Sequence, residues 1–104
     1  ENKHIKINGP RPLSNNLDIL PWPEREDIPL DRYNDGFAGF PLPCVQLWSS
    51  RGCSLGCIFC VWPQVMYKNN IYRKRSSVDV VAEVEYLIKE LNFRSFYFDD
   101  DIFN

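Results

Sequence analysis

Three of the four cysteines, Cys53, Cys57 and Cys60, fall inside Arg51–Cys60 with the spacing Cys-x3-Cys-x2-Cys. Thiolates are soft ligands suited to zinc and to iron–sulfur clusters, so three this close can converge on one small inorganic group. A structural zinc site asks for four protein ligands. Cys44 is the one cysteine left, and the apolar run Val45–Ser49 between it and Cys53 reads as a strand about 17 Å long. That places Cys44 at the far end of the strand, as a small buried apolar residue rather than a ligand. The count favours three thiolates with one coordination position open. On a cluster of four irons and four sulfides, the iron without a cysteine can bind a substrate or cofactor directly. Gly52 and Gly56 suit the tight backbone of such a loop, and Phe59 offers an apolar wall beside Cys60 that excludes water. Two further readings stay open: a structural zinc module that recruits Cys44, and a redox-active set that forms disulfides.

The elements around this loop must position it. Val45–Ser49 leads directly into the cysteines, so they sit on a loop at the C-terminal end of a strand. Val61–Tyr67 continues the loop, with Pro63 limiting helix. Lys68, Arg73, Lys74 and Arg75 form a modest basic run, read as a solvated loop or as a grip on an anionic group. Ser76-Ser77-Val78-Asp79 resembles a capping box, with Ser76 as the cap. Val80, Val81, Val84, Leu87, Ile88 and Leu91 then recur at helical spacing and define one apolar face. Glu85 and Lys89 form an i,i+4 pair on the other side, and Asn92 is a plausible terminator. Ser95–Phe98 reads as a second strand, apolar on both faces as in a covered parallel sheet. Strand, loop, helix and strand make one βαβ unit, of the α/β class.

Residues 1–43 hold all of the 8 prolines but Pro63. Each lacks an amide donor and restrains the residue before it to extended backbone. This stretch reads as an interdomain linker that wraps or joins, with Leu17, Ile19, Leu20 and Trp22 available to a neighbouring domain. Asp35-Gly36 and Gly39 mark turns. His4, the single histidine, reads as a solvated side chain. Residues 44–104 then form the second part. The aromatic strand so near the last residue gives the expectation that the chain is a fragment of a longer protein.

The 104 residues fit one small domain, and 44% hydrophobic with 25% charged residues is ordinary for a globular protein. A formal charge of −2 gives no electrostatic case for nucleic acid or an anionic membrane. No apolar run approaches the roughly 20 residues that span a bilayer. A cytoplasmic location is expected, where thiols stay reduced.

Cys53-x3-Cys57-x2-Cys60, with Phe59 before the last cysteine, resembles the signature of the radical SAM enzymes. So does its place after a first strand and ahead of a helix and second strand. Residues 44–104 are similar to the opening of that family's partial (β/α)6 TIM-like barrel. The resemblance implies that Cys53, Cys57 and Cys60 ligate three irons of a 4Fe-4S cluster. It implies that S-adenosylmethionine chelates the fourth iron and is reductively cleaved to a 5′-deoxyadenosyl radical, which takes a hydrogen atom from a small-molecule substrate. An electron donor such as a flavodoxin or ferredoxin goes with that chemistry. Phe59 belongs to the cofactor side. At the end of the second strand, Asp100 first and Asp101 second are the candidates to contact S-adenosylmethionine. Asp99-Asp100-Asp101 departs from the better-known Gly-Gly-Glu version, and the plain reading is three acids that end a strand in water.

A narrower likeness lies in Leu20-Pro21-Trp22-Pro23-Glu24-Arg25, Tyr33, Ser50-Arg51-Gly52-Cys53, Tyr72-Arg73-x-Arg75-Ser76 and Phe98-x-Asp100-Asp101-x-Phe103. These resemble the junction in radical SAM proteins that carry an N-terminal cobalamin-binding domain. The likeness implies cobalamin in a missing upstream domain and a parent that is a cobalamin-dependent methyltransferase or forms carbon–carbon bonds. No residue of this chain is assigned as catalytic, and turnover is not expected from it alone.

Overall fold

In the computed structural model, residues 5–9, 11–29, 32 and 39–103 are described. The elements are β1 (Cys44–Leu47), β2 (Ser50–Gly52), a short π-helix (Trp62–Met66), β3 (Tyr72–Lys74), α1 (Ser77–Lys89) and β4 (Ser95–Phe98). His4, Tyr33 and the Asp35-Gly36 turn lie outside the described residues. Gly39 takes φ +67°, as a turn glycine does.

The helix forms where the capping residues place it. Ser76 keeps an extended backbone, and its hydroxyl accepts from the Asp79 amide at 3.1 Å. Asp79 in the first turn and Lys89 in the last both complement the helix dipole. At the other end Asn92 adopts a left-handed φ of 58°, and the Phe93 amide closes back onto the Leu87 carbonyl at 3.1 Å.

Strands β1 and β4 pair in parallel, with Val45 opposite Phe96 and Leu47 opposite Phe98. Helix α1 lies between them in sequence, so the expected βαβ unit is present. Val45, Leu47, Leu87 and Phe93 form the core, with Val84, Tyr86, Leu91, Phe96 and Phe98 packed against it. Leu87 is 0% exposed, and such burial stabilises by about 1.5–3 kcal/mol. The strand β4 is half-buried along its length rather than covered on both faces. Cys44 is likewise half-buried at the start of β1.

The buried stripe of α1 is not centred where the apolar spacing puts it. Val81 and Ile88 are exposed, while Glu83 is 1% exposed. The reason is a pair of arginines. Arg25 Nη1 meets Glu83 Oε1 at 2.9 Å, and Arg75 Nη1 meets Oε2 at 2.5 Å. A buried carboxylate is tolerated only when paired and hydrogen-bonded, and here both oxygens are engaged.

Arg25 comes from the proline-rich segment, which lies along α1 of this same chain. Asp18 accepts from the Ser76 amide at 2.8 Å, and Trp22 Nε1 donates to Asp79 Oδ1 at 3.1 Å. Glu26 Oε1 accepts from the Tyr86 hydroxyl at 2.5 Å. Leu17 is buried beneath the segment, whereas Ile19 and Leu20 stay exposed. Over its described residues the segment forms no α-helix or strand, only 3-10 turns at Arg32 and Gly39, and polar side chains from Asp18 to Glu26 fasten it.

Candidate functional site

The cysteines lie on an excursion between two paired strands. Antiparallel β2 and β3 place Ser50 opposite Lys74, Arg51 opposite Arg73 and Gly52 opposite Tyr72. The basic run is therefore partly a strand and not a solvated loop. Arg73 donates to the Ser14 carbonyl at 2.7 Å, and Arg75 is drawn into the Glu83 and Asp79 carboxylates. Three-residue strands carry no readable period, and the one available signal was the Ile71-Tyr72 pair ahead of the consecutive cations Arg73, Lys74 and Arg75.

Gly52 closes the root of the excursion. Its φ is +90°, and a Cβ there would stand 2.1 Å from the Ile71 carbonyl oxygen. Only glycine fits that approach. Gly56 has no such backbone, and a Cβ there meets only the mobile amide end of Asn70, at 2.9 Å. After the cysteines, Pro63 does not prevent helix. It occupies the first turn of the π-helix, where its missing amide would be unpaired anyway, and the Tyr67 amide donates to the Trp62 carbonyl at 2.9 Å.

All four thiols are free. Cys53 is buried, and its sulfur accepts from the Leu55 amide at 3.3 Å. Cys57 and Cys60 are half-buried and joined by a turn in which the Cys60 amide donates to the Cys57 carbonyl at 3.1 Å. The three share one excursion but not one point. Among the described residues, no group of three or more His, Cys, Asp or Glu side chains stands close enough to hold a metal ion. The donor set itself suits a cluster: three soft thiols, a backbone amide aimed at one of them, and a glycine that turns the chain tightly beside it. Phe59 does not wall the site within this chain, being 88% exposed, and its neighbour Ile58 is 90% exposed.

The acids at the end of β4 hold the root of the same excursion. Asp99 extends the ladder, its amide donating to the Leu47 carbonyl at 2.9 Å. Asp100 takes the turn between β1 and β2: Ser49 donates from its amide at 3.0 Å and its hydroxyl at 3.1 Å. Ser50 donates to the same carboxylate from its amide and its hydroxyl. Asp101 Oδ2 accepts from the Gly52 amide at 3.1 Å and from the Tyr67 hydroxyl at 3.3 Å. It therefore links the two ends of the cysteine excursion. Burial pushes the Tyr67 hydroxyl above its ordinary range and the Asp101 charge adds to this, while Arg51 and Arg73 oppose it. These contacts were not legible from the triple acid alone.

Among the described residues, no helix is long and apolar enough to cross a membrane. The chain is 33% identical over 104 residues to an uncharacterized methyltransferase of Pyrococcus horikoshii, matching 99% of this chain and 21% of that protein. It is 30% identical over 99 residues to a cytidylyl-2-hydroxyethylphosphonate methyltransferase of Streptomyces wedmorensis, matching 86% of this chain and 17% of that protein. No family model and no solved structure matches the chain. The chain thus spans about a fifth of the length of these curated relatives, and both are named methyltransferases.

Proposed function

We propose that this chain is the part of a radical SAM methyltransferase that binds the iron–sulfur cluster and S-adenosylmethionine. The observation that carries the reading is Cys53-x3-Cys57-x2-Cys60 on an excursion rooted beside the C-terminal ends of two parallel strands. In barrels built from such units, function gathers at those ends. The methyltransferase names of the two relatives support the same reading. On it, β1, α1 and β4 are the first unit of a partial (β/α)6 barrel covering residues 44–104, and residues 1–43 are the linker before it.

Cys53, Cys57 and Cys60 would hold a 4Fe-4S cluster, and Cys44, at the opposite end of β1, would not. When bound, the cluster supplies the electron for reductive cleavage of S-adenosylmethionine. The chain's own residues set the place for that chemistry. Gly52 turns the backbone into the excursion, Asp100 fixes the turn before it, and Asp101 ties its start to its end. Asp101 also moves ahead of Asp100 as the contact for the positive amino group of S-adenosylmethionine. Among the described residues its Oδ1 accepts no hydrogen bond, whereas Asp100 is engaged by Ser49 and Ser50. Phe59, exposed on the loop, is free to cover the cofactor. The small-molecule substrate, a flavodoxin or ferredoxin as electron donor, cobalamin in an upstream domain, and a cytoplasmic location complete the reading.

The test is anaerobic reconstitution with iron and sulfide, followed by addition of S-adenosylmethionine to the reduced protein. A change in the electron paramagnetic resonance signal on addition is expected. Stoichiometric zinc with no iron uptake would favour a structural zinc module instead.

A further inference from the structure

Arg51 and Arg73 stand directly opposite each other across β2 and β3, so their side chains leave the same face of the ribbon. Opposed residues on one face have Cβ atoms about 5 Å apart, and like charges so placed repel. A carboxylate between them would relieve this. Among the described residues, neither arginine is ion-paired: the salt bridges involve Arg25, Arg75 and Lys89. Asp101 at this end accepts from the Gly52 amide and the Tyr67 hydroxyl through Oδ2 and forms no salt bridge with either arginine.

Both guanidiniums are held ready. Arg51 lies over the Trp48 ring, its Cζ 4.4 Å from the centroid. Stacking occupies the face of the guanidinium and leaves the donors on its edge available. Arg51 also borders a cleft of about 110 Å³ shared with Leu17, Trp22 and Trp48, which gives a ligand access to it. Arg73 is fixed by its bond from Nη1 to the Ser14 carbonyl, and its Nε is buried with no partner. A buried donor left without an acceptor is costly, and such atoms are rare in folded proteins.

We infer that Arg51 and Arg73 form a cradle for a tetrahedral oxyanion, a phosphate or phosphonate group of a ligand. Two guanidiniums carry two positive charges. A carboxylate carries one negative charge and would leave the pair half-compensated, whereas a phosphate monoester carries about −1.5 to −2 near neutral pH. Arginine forks also match the oxygens of such a group in paired hydrogen bonds. The cradle opens at the root of the cysteine excursion, with Gly52 following Arg51 directly in β2. The inference does not depend on the cluster reading, because it uses no thiol.

The experiment titrates the whole chain with inorganic phosphate, methylphosphonate and acetate, read by backbone amide chemical shifts. Saturable binding of phosphate and methylphosphonate is expected, with shifts centred on 51–53 and 72–74, and acetate at least about tenfold weaker. Arg51→Gln and Arg73→Gln should each weaken phosphate by about tenfold or more. Arg51→Lys keeps the charge and the fold while removing the fork, and should fall between. Circular dichroism of each variant separates lost binding from lost fold. No saturation with phosphate, equal binding of acetate, or phosphate binding unchanged in both glutamine variants would each overturn the cradle. Iron and sulfide uptake measured on the same preparation distinguishes its failure from failure of the cluster reading.

Discussion

Asp100 holds Ser50 twice, through the serine amide and through its hydroxyl, across 50 residues of chain. The hydroxyl of Ser50 also reaches the Ile102 carbonyl at 3.3 Å. Ser50 is 2% exposed, so this is a buried polar tie between the end of β4 and the turn that launches the cysteine excursion. Charge-assisted bonds of this kind are about twice as strong as neutral ones.

Replacing Asp100 should loosen that turn before it disturbs the core. In Asp100→Asn the charge is lost and, with Oδ1 kept as the shared acceptor, the new NH2 replaces Oδ2 and faces the Ser49 amide, 3.2 Å from that position. Faster amide exchange at Ser49–Gly52, with α1 still protected, is the expected result. Unchanged exchange at these positions would show that the tie contributes nothing to order.

Glu83 fastens the proline-rich segment to the domain. Glu83→Ala leaves the buried Arg25 without its carboxylate while Arg75 keeps Asp79, and breaking a buried pair in this way costs about 3–5 kcal/mol. Arg25→Ala is milder, since Glu83 keeps Arg75. It should free the segment to limited proteolysis within residues 11–29 while the circular dichroism of α1 persists. Equal protease resistance of Arg25→Ala and the parent chain would contradict this.

Alkaline pH should loosen the same segment at the residue next to Arg25. The Glu26 carboxylate accepts the Tyr86 hydroxyl proton and, with some burial, pushes the phenol from 10.0 up to about 12. The folded pKa is raised, so this contact contributes stability in full below pH 10 and loses it as pH climbs through about 12. A difference titration of the phenolate band between the parent chain and Tyr86→Phe should show the late midpoint. In Glu26→Gln the midpoint should move back toward 10.0.

What the sequence disclosed follows from the range of each interaction. The Ser76 cap, the α1 span, the Asn92 stop and the strands β1 and β4 of one βαβ unit rest on local chemistry and regular periods, and all were legible. Glu83 was not, because apolar periodicity counts a glutamate as surface, and its partner Arg25 lies 58 residues away. Strands β2 and β3 were hidden because Arg51 and Arg73 give a three-residue strand no apolar face. The proline-rich segment revealed its lack of a long helix but not its attachment, which depends on single side chains such as Asp18 and Trp22 meeting Ser76 and Asp79. At the site, the types and spacing of the cysteines were plain, whereas the roles of Asp100 and Asp101 at the loop's root needed the register of β1 against β4.

The central claim is a three-cysteine cluster site, and metal uptake by single variants tests it most directly. After anaerobic reconstitution, iron and sulfide content should collapse in Cys53→Ala, Cys57→Ala and Cys60→Ala and remain at the parent level in Cys44→Ala. Loss of metal in Cys44→Ala, or full iron and sulfide retained in Cys57→Ala, would contradict it.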